Sequence, residues 1–124
     1  MDKETLDFVA SKVDAMLLAG SASAATKAAA GTWKDAVANG QDPDEATNML
    51  MDAITVRQTT VDDVLALAKS DMGKRLFGEE DAAAMAAHEL ARKKAGAKWC
   101  DCAACKPCHE LLAKFGREEP DVYL

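Results

Sequence analysis

Hydrophobic residues recur at helical spacing from the first residues of the chain. Between residues 3 and 18 they form one stripe, which predicts an amphipathic helix. Asp2 can cap its start, and Gly20 can end it. The stripe consists of Leu6, Val9, Val13, Met16 and Leu17.

Two further helices are predicted in the first half of the chain. The alanine-rich stretch 23–38 favours a helix because alanine has the highest helix propensity. The next helix has the clearest start, since Asp42 suits the N-cap, Pro43 the first helical position and Glu45 the position three after the cap.

The pattern continues in the second half. Thr60 and Asp63 form a capping-box pair that starts a fourth helix, whose apolar stripe runs on to Met72. Residues 79–94 open with acidic side chains and close with basic ones, as the helix dipole favours in a fifth helix. No sustained alternation of period two indicates a sheet. The predicted fold is therefore an all-α bundle of about five helices.

The predicted organisation has three parts. Residues 1–96 form the helical bundle. Residues 97–116 form a cysteine-rich metal-binding loop and a short C-terminal helix packed on the bundle, and 117–124 form a flexible tail.

Composition and charge limit the functions that this bundle can have. Of 124 residues, 49% are hydrophobic but only 5% aromatic, and the net charge of −6 repels nucleic acid. The basic run Arg92–Lys94 with Lys98 is interpreted as a cationic helix end, and no nucleic-acid partner is predicted.

The N-terminus lacks the pattern of a signal peptide, because acidic residues come first. No segment has the ~20 apolar residues of a membrane span, so no membrane partner is predicted. We expect a soluble, cytoplasmic protein. In a reducing compartment, clustered cysteines are metal ligands or redox groups more often than disulfides.

All four cysteines fall within nine positions, spaced C-x-C-x2-C-x2-C. A tetrahedral zinc ion needs four soft or borderline ligands around one point, and each C-x2-C step lets the backbone turn two sulfurs toward it. The predicted ligands are Cys100, Cys102, Cys105 and Cys108, with His109 as a possible substitute. Pro107 suits the first position of a helix, where free N–H groups would stabilise a Cys108 thiolate.

Other chemistries fit parts of the same string. Cys102, Cys105 and Cys108 match the C-x2-C-x2-C core of an iron–sulfur loop, although the fourth cysteine lies upstream here. The two overlapping C-x2-C steps also suit dithiol redox chemistry, residues 105–109 spell the C-x-x-C-H string of haem attachment, and thiolates bind copper(I).

The function predicted from the sequence is a protein-interaction module with a structural zinc ion. Four cysteine ligands leave no open coordination position for substrate, so catalysis is not expected. The alternative is a redox or electron-transfer protein that uses an iron–sulfur cluster or exchangeable thiols in the same loop. The sequence names neither the protein partner nor the oligomeric state.

Overall fold

The computed structural model describes residues 1–56 and 58–124, and within them the chain forms seven helices. This part of the chain has no strand, only an isolated antiparallel bridge between Thr60 and Trp99. The all-α prediction is thus confirmed. The helices are α1 (Lys3–Leu18), α2 (Ala24–Ala38), α3 (Pro43–Ile54), α4 (Val61–Lys69), α5 (Asp71–Phe77), α6 (Glu79–Lys94) and α7 (Cys105–Lys114).

The helices form two compact units. The first consists of Met1–Gln58 and Asp101–Pro120, and the second of Thr59–Cys100 and Asp121–Leu124. Each unit is therefore built from two separate stretches of the chain. The predicted division at residues 96 and 116, with a flexible tail after it, remains a prediction.

The first unit packs α1 against α2 and α7, and α3 against α2 and α7. Its core is aliphatic, with Trp33 as the one buried aromatic residue among the described residues of this cluster. The Trp33 indole N–H donates to the Thr47 hydroxyl at 3.0 Å, so its polar atom is satisfied inside the core. Members from all four helices include Val9, Val13, Met16, Ala30, Leu50, Met51, Leu111 and Leu112.

Side-chain caps explain why the helix starts agree with the sequence. Asp2 accepts a hydrogen bond from the Thr5 N–H, and Ser23 accepts one from the Thr26 N–H. Thr60 and Asp63 form the complete reciprocal capping box at the start of α4. These local bonds satisfy backbone donors that the first helical turn leaves without partners.

The predicted number of helices is wrong: the described part of the chain forms seven, because Ser70 divides the stripe that runs from Val61 to Met72. The Ser70 hydroxyl donates to the Leu67 carbonyl at 2.6 Å and accepts from the Gly73 N–H, which ends α4 and starts α5. A Cβ at Gly73 would lie 1.9 Å from the Leu67 carbonyl oxygen. Only glycine therefore allows α5 to approach the end of α4 so closely.

The second unit packs α4, α5 and α6 together, and Arg92 of α6 is fully buried in it. Its guanidinium donates to the Glu89 carboxylate at 2.8 Å, the Trp99 carbonyl at 2.8 Å and the Asp121 carboxylate at 3.1 Å. Arg92 lies in the last turn of α6 with Lys93 and Lys94, so the predicted cationic helix end is present, but the Arg92 side chain is buried. Its charge is buried by partners that include residues far along the chain. The residues next to Arg92 in the sequence do not reveal these partners.

Among the described residues, no helix combines the length and the apolar character needed to cross a bilayer.

Candidate metal centre

Backbone hydrogen bonds shape the cysteine-rich segment. The Cys100 N–H donates to the Thr59 carbonyl at 2.9 Å, which fixes one end of the loop. The Lys106 N–H donates to the Cys102 carbonyl at 2.9 Å, which closes a turn over the next four residues. α7 begins at Cys105, two residues before the predicted start at Pro107. The loop between Cys100 and Cys105 therefore turns back on itself within six residues.

This turn brings three sulfur atoms together. The Sγ atoms of Cys100, Cys102 and Cys105 all lie within 4.8 Å of one another. In a tetrahedral zinc site with Zn–S bonds of ~2.3 Å, sulfur atoms are roughly 3.8 Å apart, so these three need only a small contraction to share one ion. No disulfide joins any of the four cysteines, all of which lie in the described part of the chain.

Hydrogen bonds from a backbone N–H and from a hydroxyl reach the Cys102 sulfur. The Cys105 N–H donates to it at 3.4 Å, and the Ser21 hydroxyl donates at 3.4 Å from the turn between α1 and α2. Donors directed at a sulfur favour the thiolate, which is the form that binds metals. Cys102 therefore has the surroundings of a ligand before any ion arrives.

Cys108 lies in a different environment, outside the three converging sulfurs. Burial, together with smaller effects of the nearby Cys102 and Glu118, raises the pKa of its thiol to about 12. The expected stabilisation of a Cys108 thiolate by the start of α7 is thus wrong for the metal-free protein, because burial outweighs it. A divalent ion reverses this balance, since its charge favours deprotonation of a coordinating thiol.

His109, the possible substitute ligand, is buried and contacts the C-terminal segment. Its Nδ1 atom lies 2.7 Å from Oε1 of Glu118, in the segment that follows α7. The other carboxylate oxygen, Oε2, is buried and has no hydrogen-bond partner among the residues that the structure describes. If His109 served as a ligand, Nε2 would be the coordinating atom, with the carboxylate orienting the ring. Its role as a ligand remains a prediction.

The donor set suits soft and borderline metals. Thiolates select zinc, copper(I) and iron–sulfur clusters over magnesium or calcium, which prefer oxygen ligands. Three convergent cysteines with Cys108 nearby can therefore bind a metal ion, and the geometry alone does not select the element.

Comparison with models of protein families, with curated proteins and with solved structures finds no match to this chain.

Two neighbours of this loop are not predictable from the cysteine spacing. Ser21 is 81 residues away from the sulfur it contacts, and Glu118 follows α7 in a segment predicted to be a tail. Neither residue belongs to a metal-binding motif. Only the fold shows that they lie beside the cysteines.

Proposed function

We propose that this protein is a small helical interaction module in which Cys100, Cys102, Cys105 and Cys108 hold one structural zinc ion. The convergence of three sulfur atoms within 4.8 Å carries this proposal. Four thiolates fill the coordination sphere of zinc, so the ion orders the chain and activates no substrate. Thiol ligands also require a reducing compartment, for which we propose the cytoplasm.

Two features support Cys108 as the fourth ligand. Negative charge on Cys102 affects the Cys108 thiol, so the two groups are close. Cys108 also lies in α7, whose apolar stripe packs against α1 and α3. Coordination would therefore join the loop to a helix that the core already holds. This arrangement is typical of a structural metal site, which stabilises the folded chain through its binding free energy.

Elemental analysis of protein purified without added metal tests the identity of the ion. We expect about one zinc ion per chain and no visible absorption, because zinc has a filled d shell. Visible absorption with bound iron and sulfide would instead establish the electron-transfer alternative. Protein without any metal, combined with a reversible disulfide under mild oxidation, would establish the thiol-redox alternative.

Matched variants test the ligand set. Cys105→Ser should lose zinc and reduce amide-exchange protection across residues 95–116, while α1 to α3 stay protected. Cys108→Ser should weaken zinc binding, whereas His109→Gln should retain it. If His109→Gln loses the ion and Cys108→Ser keeps it, the fourth ligand is the imidazole. If Cys105→Ser leaves zinc content and exchange unchanged, the proposed site is wrong.

A further inference from the structure

A cavity opens on the first unit, between α2 and α3. It has a volume of about 220 Å³, and its lining is mostly apolar. Alanines on both helices leave the space, Trp33 lies at its base with 4% exposure, and Met49 lies at the rim with 55% exposure. The lining includes Ala29, Trp33, Ala36, Met49, Leu50 and Ala53. We call this feature the α2–α3 groove.

The size of the groove limits what it can hold. Drug-sized ligands usually occupy pockets of ~300 Å³ or more. A cavity of ~150 Å³ is enough for a benzene ring. The α2–α3 groove therefore fits one large apolar side chain, such as leucine or phenylalanine. Met49 at its rim is unbranched and can adjust to the shape of that side chain.

Acidic residues flank the groove on both helices. Asp35 follows the lining residue Thr32 by three positions, and Glu45 precedes Met49 by four, so each is a surface neighbour of the groove. Both carboxylates belong to exposed residues. Asp42, also exposed, directly follows the lining residue Gln41 at the start of α3.

The two cations of α2 do not offset these charges. Lys27 and Lys34 lie on the side of α2 away from the lining residues, by helical periodicity. The Lys34 ammonium forms an ion pair at 2.8 Å with Asp14, so it is directed at α1. On the α3 side, Arg117 pairs with Asp52 at 2.7 Å. Among the described residues, the apolar cavity is therefore bordered by more carboxylates than cations.

We propose that the α2–α3 groove docks an amphipathic helix of a partner protein, which inserts one large apolar side chain and places Lys or Arg beside it. This inference rests on the proposed function as an interaction module. It adds the surface that the module uses and the kind of partner that it binds. Helix-in-groove recognition uses an apolar anchor for affinity. Complementary charge around the anchor favours the basic partner and repels acidic ones.

Two synthetic helical peptides of about four turns test this. One carries leucine on one face and lysine on the other; its control replaces every lysine with glutamate. Binding is followed by Trp33 emission in a Trp99→Phe background, since the chain has two tryptophans. We expect saturable binding of the lysine peptide in a one-to-one complex, with roughly tenfold weaker binding of the glutamate peptide.

Variants of the protein separate the groove from net charge. Ala53→Leu extends an exposed lining residue over the cavity and should weaken binding roughly tenfold. Asp35→Lys with Glu45→Lys should do the same. The matched control is Asp7→Lys with Glu119→Lys, which changes the net charge equally at exposed sites outside the groove lining. It should leave most of the binding intact.

Several results would overturn the proposal. Equal losses in the two charge-reversal pairs would mean that only net charge matters. Equal affinity for both peptides would mean that the carboxylates beside the groove do not select a basic partner. Uptake of benzene without peptide binding would indicate a small-molecule site. Zinc content is measured on the same samples. Full zinc with no peptide binding refutes the groove alone, and peptide binding without zinc refutes only the metal proposal.

Discussion

Replacing Asp121 with alanine should strongly destabilise the second unit. Its carboxylate accepts from the Lys98 N–H at 2.8 Å, the Trp99 N–H at 3.0 Å and the Arg92 guanidinium at 3.1 Å. The side chain is only 5% exposed, and that of Arg92 is fully buried. One short side chain thus connects residues 121–124 to α6 and to the segment after it.

The expected loss follows from these contacts. Removing one partner of a buried ion pair costs ~3 to 5 kcal/mol. Each backbone N–H that stays buried without an acceptor adds ~1 to 3 kcal/mol, less where water enters. Arg92 keeps its bonds to Glu89 and to the Trp99 and Val122 carbonyls, which limits the damage. We expect a loss of roughly 3 to 5 kcal/mol, comparable with the whole stability of so small a unit.

The same carboxylate predicts a pH dependence. Burial acts to raise the pKa of Asp121, but N–H bonds from Lys98, Trp99 and Val122 and the charge of Arg92 outweigh it, so the pKa is lowered. A lowered pKa in the folded state gives stability that is present above the unfolded value of ~3.9 and is lost as pH falls through the folded value. The second unit should therefore lose this contribution only in strong acid.

Amide exchange measured by mass spectrometry tests the prediction helix by helix. In Asp121→Ala, α4 and α6 should lose most of their protection, while α1 to α3 keep theirs. Asp121→Asn retains a side-chain acceptor, so its protection should lie between that of the unchanged protein and that of Asp121→Ala. The matched control is Asp62→Ala, which breaks an exposed ion pair with Lys93 and should cost under ~1 kcal/mol. A loss in Asp121→Ala no larger than in this control would refute the reasoning.

Two further substitutions test the packing of each unit by chemical denaturation. Leu111→Ala should cost ~2 to 5 kcal/mol, because this side chain is fully buried in the core of the first unit; a loss of a few tenths would mean that α7 stands free of the core. Gly73→Ala should cost ~1 to 3 kcal/mol, because its Cβ would overlap the Leu67 carbonyl. The matched control, Gly31→Ala, meets nothing within 4 Å inside α2 and should stabilise by ~0.5 to 1 kcal/mol; equal effects at both glycines would contradict the close approach.

Local signals in the sequence predict the helices well where side-chain caps mark their starts. The capping box of Thr60 and Asp63 and the Asp42–Pro43 start are both present in the structure. Ser70 was missed because Met72 continues the apolar stripe of α4 in the sequence. The hydrogen bonds of the Ser70 hydroxyl are as local in sequence as those of the other caps. Serine also occurs inside helices, however, so the sequence does not show whether Ser70 continues a helix or caps one.

The site was predictable only in part, for a physical reason. Sulfur atoms within one six-residue turn must lie close together, so the spacing of Cys100, Cys102 and Cys105 predicts their convergence. The high pKa of the Cys108 thiol comes from tertiary burial, which the spacing does not encode. The contact between Arg92 and Asp121 joins residues 29 positions apart, and the charge pattern along the chain indicates only the cationic end of α6.

Packing and metal binding act on different parts of the C-terminal region. Leu111 and Leu112 of α7 are almost fully buried, and burying each contributes ~1.5 to 3 kcal/mol, so apolar contacts stabilise this helix on α1 and α3 in addition to the ion. The loop before it has few such contacts, since Cys102 and Cys105 are only half-buried. Loss of the ion should therefore loosen the loop first and α7 less, whereas Leu111→Ala should weaken α7 even when zinc is bound. A result in which both changes affect the same residues equally would mean that loop and helix form one cooperative element.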